Sequence, residues 1–347
     1  MKLTVNLEKD SYPIIIEKGI LDHVLDYIDI KSNKLMIITD SNVSSYYLEK
    51  IVPQLNKKYD VHYYIIEAGE KSKHIDSIKP IYEYLLECHI TRTDTIIALG
   101  GGVVGDLAGF ISSSYLRGVN FIQIPTSLLA QVDSSVGGKV GVDLDVGKNL
   151  VGAFKHPKLV LIDPNTLKTL PVHYIRDGMG EVIKYGCIFD KDFFNQLNNY
   201  DSWEALYKDI DEILYKCVNF KRIVVENDLY DFGDRLSLNF GHTLAHAIEV
   251  YYHYDMYSHG QAVGIGMYLI TKLSEEKGLT KAGTSDKIKE ILIKYHLPYS
   301  VDLDLSKLKE AMQLDKKNIN ASLSYVLLKE IGEYFIYPSD LNFINRE

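Results

Sequence analysis

The first half of the chain alternates short runs rich in β-branched residues with amphipathic stretches of helical spacing, and this alternation restricts the fold more than any other feature. Strand candidates lie at 3–7, 13–17, 34–39, 61–67, 95–99, 121–124 and 159–162, and several of them are apolar on successive residues, as strands covered on both faces are. Between them Ile75, Ile78, Ile81, Tyr82 and Leu85 recur at the spacing of one helical face over 75–88. Strand–helix–strand units of this kind build a doubly wound, mainly parallel sheet. After Pro171 the pattern turns helical, at 193–197, 203–220, 236–252, 261–277, 287–295 and 305–314, with a short strand at 323–328. Pro171 cannot continue a preceding helix and restricts its neighbour, so it marks a boundary. The expectation is an α/β fold in two domains: residues 1–171 as a dinucleotide-binding α/β domain, and residues 172–347 as a mostly α-helical metal- and substrate-binding domain.

A chain of 347 residues is long enough for two such domains, each with its own core. Acidic residues outnumber basic ones, 47 to 38, and the basic residues are scattered, which argues against a nucleic-acid partner. No apolar window of about 18 residues occurs, so no membrane span is expected. The N-terminal residues lack an apolar signal core, which predicts a cytoplasmic protein. Cys88, Cys187 and Cys217 are far apart and odd in number, and read as free thiols in a reducing compartment.

Gly100-Gly101-Gly102-Val103-Val104-Gly105-Asp106 follows the run at 95–99 directly. Its Gly100-x-Gly102-x-x-Gly105 spacing lets the backbone approach a pyrophosphate, with the start of the following helix facing the negative charge. No acidic residue stands about 20 positions downstream to hold a ribose, so the ordinary fingerprint is incomplete. Asp40, at the end of the run at 34–39, is placed to supply that carboxylate instead.

His242, His246, His253 and His259 fall within 18 residues. His242 and His246 are four apart in a helical segment and project from one face. With His259 and a distant carboxylate they suffice for a three-ligand divalent metal site that keeps a position open; an ordinary polar role is the alternative for any one of them. His253, flanked by Tyr252 and Tyr254, reads as structural. The glycine-rich stretch from Asp133 to Lys139, with Gly147-Lys148-Asn149, reads as a loop between strands. Its lysines and Lys184 are point cations suited to phosphate or carboxylate, unless the stretch is simply a solvated surface loop.

These segments, together with Gly69-Glu70-Lys71-Ser72-Lys73, Leu116-Arg117-Gly118, Pro125-Thr126-Ser127-Leu128-Leu129-Ala130, Gly178-Met179-Gly180-Glu181-Val182-Ile183-Lys184, Asn239-Phe240-Gly241-His242-Thr243, His259-Gly260 and Asp315-Lys316-Lys317, resemble the 3-dehydroquinate synthases in order along nearly the whole chain. The resemblance implies that Glu181, His242 and His259 hold zinc or cobalt. It implies an NAD site drawn from Asp40, Asn42, Glu70, Lys73, Gly101, Gly102, Val103, Gly105, Asp106, Thr126, Ser127, Asp133, Lys139, Lys148, Thr166 and Thr169. Substrate contacts would come from Lys139, Asn149, Lys184, Lys221, Arg235, Asn239, His246, His259 and the pair Lys316 and Lys317. The catalytic groups among them would be Lys139, Lys184, Asn239 and His246, with Asp231 at the proton-relay position. Arg117 is the residue expected to reach the partner subunit's site in a homodimer.

The implied substrate is an anionic sugar acid phosphate, 3-deoxy-D-arabino-heptulosonate 7-phosphate, which enzymes of this family convert to 3-dehydroquinate and phosphate in the shikimate pathway. Oxidation at C5 by NAD, with the metal polarising that oxygen, acidifies the C6–H. Phosphate then leaves by elimination, the hydride returns, and an intramolecular aldol closes the carbocycle. Three departures stand out: Asp231 where the family usually has Glu, Gln261 after His259-Gly260 where Glu is usual, and Ala245 where glycine is common. Alternative readings are another sugar phosphate cyclase such as 2-deoxy-scyllo-inosose synthase, a metal-dependent polyol dehydrogenase, and a non-catalytic NAD-binding protein. The last has no use for an intact set of metal ligands and lysines.

Overall fold

The computed structural model describes residues 1–231, 233–303, 305–317 and 323–344, leaving aside the side chains at 305, 313–317, 323 and 342. The chain divides into two compact units, Met1–Pro171 with Ile210–Glu226, and Val172–Asp209 with Asn227–Glu347. One cut at Pro171 therefore misses an exchange. The helix Ile210–Asn227 buries Ile210, Ile213, Leu214, Cys217, Val218, Lys221, Val224 and Val225 and groups with the first unit, although the sequence order put it in the second. Its apolar stripe announces a buried face without saying which core that face joins.

The first unit is built on a seven-stranded sheet of β1 (Lys2–Val5), β2 (Tyr12–Ile16), β3 (Lys34–Asp40), β4 (Asp60–Ile66), β5 (Thr95–Gly100), β6 (Asn120–Pro125) and, after an intervening hairpin, β9 (Leu159–Ile162), in the order β1-β2-β9-β6-β5-β3-β4. Every pairing is parallel except β1 with β2. Both faces are covered, which is why its central strands are apolar on successive residues. Leu35 and Ile37 of β3 enter one core with Ile97 and Leu99 of β5, while Met36 and Ile38 enter the other with Ile96 and Ala98. Full burial of one such side chain contributes about 1.5–3 kcal/mol. The chain runs outward from β3 to β4 and then back across β3 to β5. The topological switch point thus lies between the carboxyl ends of β3 and β5, where a doubly wound sheet binds its ligand. Asp40 ends one of those strands and Gly100 the other.

The stretch read as a loop between strands is a hairpin, and this corrects the expectation: β7 (Lys139–Leu144) pairs antiparallel with β8 (Gly147–Phe154). Gly141 and Gly152 face each other across it. A Cβ on Gly152 would meet Val140 O at 2.6 Å, so the glycines that suggest a loop are the ones that let the strands close. Val140 packs over Gly109 of the helix Gly102–Ser114, where an added Cβ would fall 2.3 Å from its Cγ1.

In the second unit the helices are Val172–Phe189, Lys191–Asn199, Trp203–Lys208, His242–Tyr251, His259–Glu276, Thr284–Lys294 and Leu305–Lys317, followed by the hairpin β10 (Leu323–Glu330) and β11 (Glu333–Ser339). The helix Val172–Phe189 was not expected from the sequence; Gly178, Gly180 and Gly186 in its interior each cost about 1 kcal/mol against alanine. The helix expected over 236–252 is broken at Gly241, whose φ of 79° is left-handed, into a 3-10 stretch Asp234–Asn239 and the helix His242–Tyr251. All three cysteines are free thiols. Among the described residues no helix is long and apolar enough to cross a membrane.

Candidate active site

In the first unit, the helix Gly102–Ser114 starts directly after β5, with Gly101 in an extended conformation at its N-cap. A Cβ on Gly101 would lie 3.3 Å from Ser127 Oγ, one on Gly102 3.3 Å from Ser134 Oγ, and one on Gly105 3.1 Å from Gln123 Oε1. The glycines thus leave a bare backbone at a helix N-terminus, suited to a pyrophosphate. Val103, in the first turn, packs against the core beneath. Thr126 N–H donates to Gly100 O at 2.9 Å, which holds Thr126 and Ser127 beside the turn.

Beside this turn the structure brings four charged candidates together. Lys73 Nζ lies 2.9 Å from Glu70 Oε1 and 3.5 Å from Asp106 Oδ2, and Lys148 Nζ lies 3.5 Å from Glu70 Oε1. Burial opposes the charge on Lys73, but Asp106 and Glu70 outweigh it and hold its ammonium well above the ordinary value. Burial pushes the Asp106 carboxyl up to about 6 against the pull of Lys73. For Glu70 burial acts upward too, yet Lys73 and Lys148 hold its carboxyl below the usual value. The Glu70–Lys73 turn is tied to the hairpin: Asp143 N–H donates to Lys73 O at 2.8 Å, and Asp143 Oδ1 accepts from Asn149 N–H at 2.7 Å. Asn149 itself is left-handed, with φ 56°. Lys139 opens β7 at an exposed position opposite Phe154.

A turn of π-helix, Ala130–Ser134, carries Asp133, whose carboxylate pairs with Lys221 Nζ at 2.9 Å. Other candidates are engaged differently. The Asp40 carboxylate caps the helix Ser41–Leu55, accepting from Asn42 and Val43 N–H at 2.9 Å each. The Thr166 hydroxyl is buried, donating to Asp163 O and accepting from Gln131 Nε2. Thr169 Oγ1 meets Tyr47 Oη at 2.5 Å. Arg117 is exposed, with φ 67° between Leu116 at 49° and Gly118 at 111°, three consecutive left-handed residues.

In the second unit three helices meet at glycines. A Cβ on Gly180 would fall 2.6 Å from Gly260 O, one on Gly260 1.8 Å from Asp177 O, and one on Gly266 2.1 Å from Gly241 O. Asp177 Oδ1 accepts the Gly260 N–H at 2.6 Å and seals the crossing. Backbone-to-backbone contact brings the residues next to these glycines together: Glu181, His242 and His259 each offer an atom, all within 4.8 Å of one another. Both imidazoles turn Nε2 toward Glu181 Oε1, each at 3.4 Å. His242 Nδ1 lies 3.1 Å from Phe240 O, and His259 Nδ1 lies 3.2 Å from Glu249 Oε1. The Glu181 side chain is wholly buried, and neither oxygen accepts a hydrogen bond of good geometry. A buried carboxylate left so, facing two imidazole nitrogens, is the donor set a divalent cation such as zinc or cobalt takes, and the residues fit that ion.

Lys184, also buried, ion-pairs with Glu181 from the next turn. Burial pulls the Glu181 carboxyl upward, but Lys184 and His242 hold it well below the usual range. Desolvation and Lys184 lower His242, and desolvation by the surrounding protein together with His242 lowers His246, although its side chain reaches the surface. For His259 burial again opposes charge, yet the carboxylates of Glu181 and Glu249 raise it to about 10. An ion taken up by this trio must therefore displace the His259 proton. Uptake is expected to release one proton in the neutral range, so apparent affinity falls about tenfold per unit drop in pH. Calorimetric titration in two buffers of different ionisation enthalpy measures this; identical heats would contradict the assignment.

A cavity of about 200 Å³ adjoins the trio, lined among others by Asn239, His242, His246, Met312, Val326 and Ile336. Arg235 is buried, donating to Leu229 O, and Asp228 ties its loop by accepting from Gly233 and Arg235 N–H. Asp231 in this loop has φ 68°, a region in which Asp is enriched among non-glycine residues. Gln261 Oε1 accepts Ser258 N–H at 3.0 Å, as a carboxylate would. Ala245 lies against Gly266, where the opposing glycine supplies the room. The side chains of Lys316 and Lys317 lie outside the described residues. Sequence reasoning missed Asp177 and Glu249; the only signal for Glu249 is its place at i+7 from His242, on the same helical face.

Comparison with known proteins gives a consistent result. The sequence model described as 3-dehydroquinate synthase N-terminal matches residues 63–177, and that described as 3-dehydroquinate synthase C-terminal matches residues 178–318. A 3-dehydroquinate synthase of Clostridium botulinum is 53% identical over 346 residues, covering 99% of both chains. One from Clostridium perfringens is 54% identical over 345 residues, covering 98% of this chain and 99% of the other. Among solved structures, 2-deoxy-scyllo-inosose synthase complexed with carbaglucose-6-phosphate, NAD+ and Co2+ superposes with a TM-score of 0.87 at 24% identity, covering 99% of this chain and 98% of that one. At that identity the superposition speaks for the fold. The sequence matches span nearly every residue, and the chain belongs to the 3-dehydroquinate synthase family.

Proposed function

We infer that the chain carries out the reaction of its family: 3-deoxy-D-arabino-heptulosonate 7-phosphate is converted to 3-dehydroquinate and phosphate, with NAD and a divalent metal as cofactors. The observation that carries this reading is the match at 53% identity along 99% of the chain. Glu181, His242 and His259 would hold zinc or cobalt, which when bound supplies Lewis-acid polarisation of a substrate oxygen. The bare helix start at Gly101 and Gly102, with Glu70, Lys73, Asp106 and Lys148 beside it, would hold NAD, which supplies reversible hydride acceptance.

The other residues bind, orient and move protons. Lys184, Lys221 and Arg235 are buried cations suited to gripping an anionic substrate in fixed geometry. His246, exposed where it lines the cavity, offers an imidazole that exchanges hydrogen bonds with a substrate hydroxyl there. Asn239 lines the same cavity, Lys139 takes the sugar acid's anionic end, and Asn149 is a further substrate contact. Asp231, Lys316 and Lys317 keep the parts that the family resemblance gives them. The reading extends to a cytoplasmic homodimer in which Arg117 reaches the partner subunit's site. Backbone strain of the kind seen at Leu116 and Arg117 clusters at functional positions, which supports that role.

The test is a turnover assay with NAD supplied. Inorganic phosphate is expected to appear one-for-one with a carbocyclic product, while NADH absorbance does not accumulate. Lys139→Met is expected to lower kcat/KM about 10- to 100-fold, since a neutral chain of similar length leaves an anion without its partner. Steady NADH formation with a polyol would favour a dehydrogenase. Phosphate release from glucose 6-phosphate but not from the heptulosonate would favour an inosose synthase.

A further inference from the structure

We propose that Glu249 is a positioning residue for the metal centre: its carboxylate accepts a hydrogen bond from the Nδ1–H of His259 and fixes that ring with Nε2 turned toward Glu181 and His242. The proposal rests on the metal reading of the Glu181–His242–His259 trio. Glu249 follows His242 and His246 at i+7 and i+3 on the helix His242–Tyr251, so the three share one face. It is 8% exposed, and its Oε1 lies 3.2 Å from His259 Nδ1 while the opposite nitrogen of the same ring lies 3.4 Å from Glu181 Oε1. A buried carboxylate is costly without a donor, and the His259 N–H is one.

An imidazole presents to a metal whichever nitrogen its other bond leaves free, so the partner of Nδ1 decides the ligand atom. His242 is arranged alike, with Nδ1 against Phe240 O at 3.1 Å and Nε2 toward Glu181. The two rings differ in what holds them. His242 leans on a neutral carbonyl two residues before it, whereas His259 leans on a negative side chain from another helix. His259 also opens its own helix, Ser258 being the N-cap, and its ring is a third exposed. Of the two rings it depends more on an outside anchor. A carboxylate partner also makes the ring a stronger donor than a carbonyl does, so Glu249 sets both the orientation of His259 and its grip on the ion.

The experiment is a Co2+ titration of the full-length protein by chelator competition, with the visible spectrum followed. Glu249→Gln keeps an acceptor and loses the charge, and is expected to weaken affinity about 10-fold, with shifted cobalt bands. Glu249→Ala loses the acceptor as well and is expected to weaken it about 100-fold. Both should still bind one ion at saturation. In the zinc-loaded wild type, the 15N shifts of His259 are expected to show Nδ1 protonated and Nε2 metal-bound; this measurement decides the matter even where a variant does not fold. Affinities within twofold of wild type in both variants, or Nδ1 as the metal-bound atom, overturn the role of Glu249. A wild type that takes up no cobalt overturns the metal reading along with it.

Discussion

Glu181→Gln is expected to abolish turnover. The substitution keeps the shape of the side chain but removes the one anionic donor from a trio whose other two members are neutral when they bind. Loss of the ion removes several kcal/mol of transition-state stabilisation, and about 4 kcal/mol corresponds to roughly a thousandfold in rate. Lys184 makes matters worse. The residue is 1% exposed and ion-paired with Glu181, so the variant leaves a buried charge without its partner, a change that costs about 3–5 kcal/mol of stability. Parallel measurement of bound metal, kcat/KM and the thermal midpoint separates the two effects. A variant that retains stoichiometric metal and wild-type turnover would remove Glu181 from the site.

Gly260→Ala is expected to be nearly as damaging without touching a donor atom. The new methyl would lie 1.8 Å from Asp177 O and 2.7 Å from its carbonyl carbon, which are backbone atoms and cannot swing aside. Overpacking of this kind costs about 3 kcal/mol, equivalent to roughly 4 °C in Tm for a chain of this size. The helices must separate to relieve it, and His259, adjacent to the substitution, moves away from Glu181. Metal affinity should fall together with stability. Gly283→Ala is the control, since an added Cβ there meets nothing within 4 Å and strains only a left-handed backbone at φ 83°. Equal losses in the two variants would mean that the crossing has no special role.

These same glycines show where the sequence was readable and where it was not. The strands of the seven-stranded sheet carry signals that act locally, because a run such as 95–99 is apolar on every residue only when both of its faces are covered. Glycines mislead because their local meaning and their tertiary meaning are opposite. Gly178, Gly180 and Gly186 argue against a helix at 172–189, yet Gly180 lies where a second helix needs the space. Gly141 and Gly152 suggest a loop and instead close a hairpin. The metal trio was legible only by family resemblance for Glu181, since nothing in the spacing links it to His242 some sixty residues later. Glu249 escaped notice because a carboxylate on a helix is ordinarily a solvated one, and only burial distinguishes it. The helix Ile210–Asn227 shows an apolar stripe, but no pattern within it says that Lys221 meets Asp133.

The bond from Asp143 N–H to Lys73 O has a mechanical meaning. Lys73 belongs to the turn proposed to lie against NAD, Asn149 to the strand proposed to lie against substrate, and one aspartate is hydrogen-bonded to both through its main chain and its carboxylate. The turn and the strand are thereby a single lever with Asp143 as its pin. Substitutions at the Asn149 end are therefore expected to be felt at the Lys73 end as well, read as a joint change in the affinities for substrate and NAD.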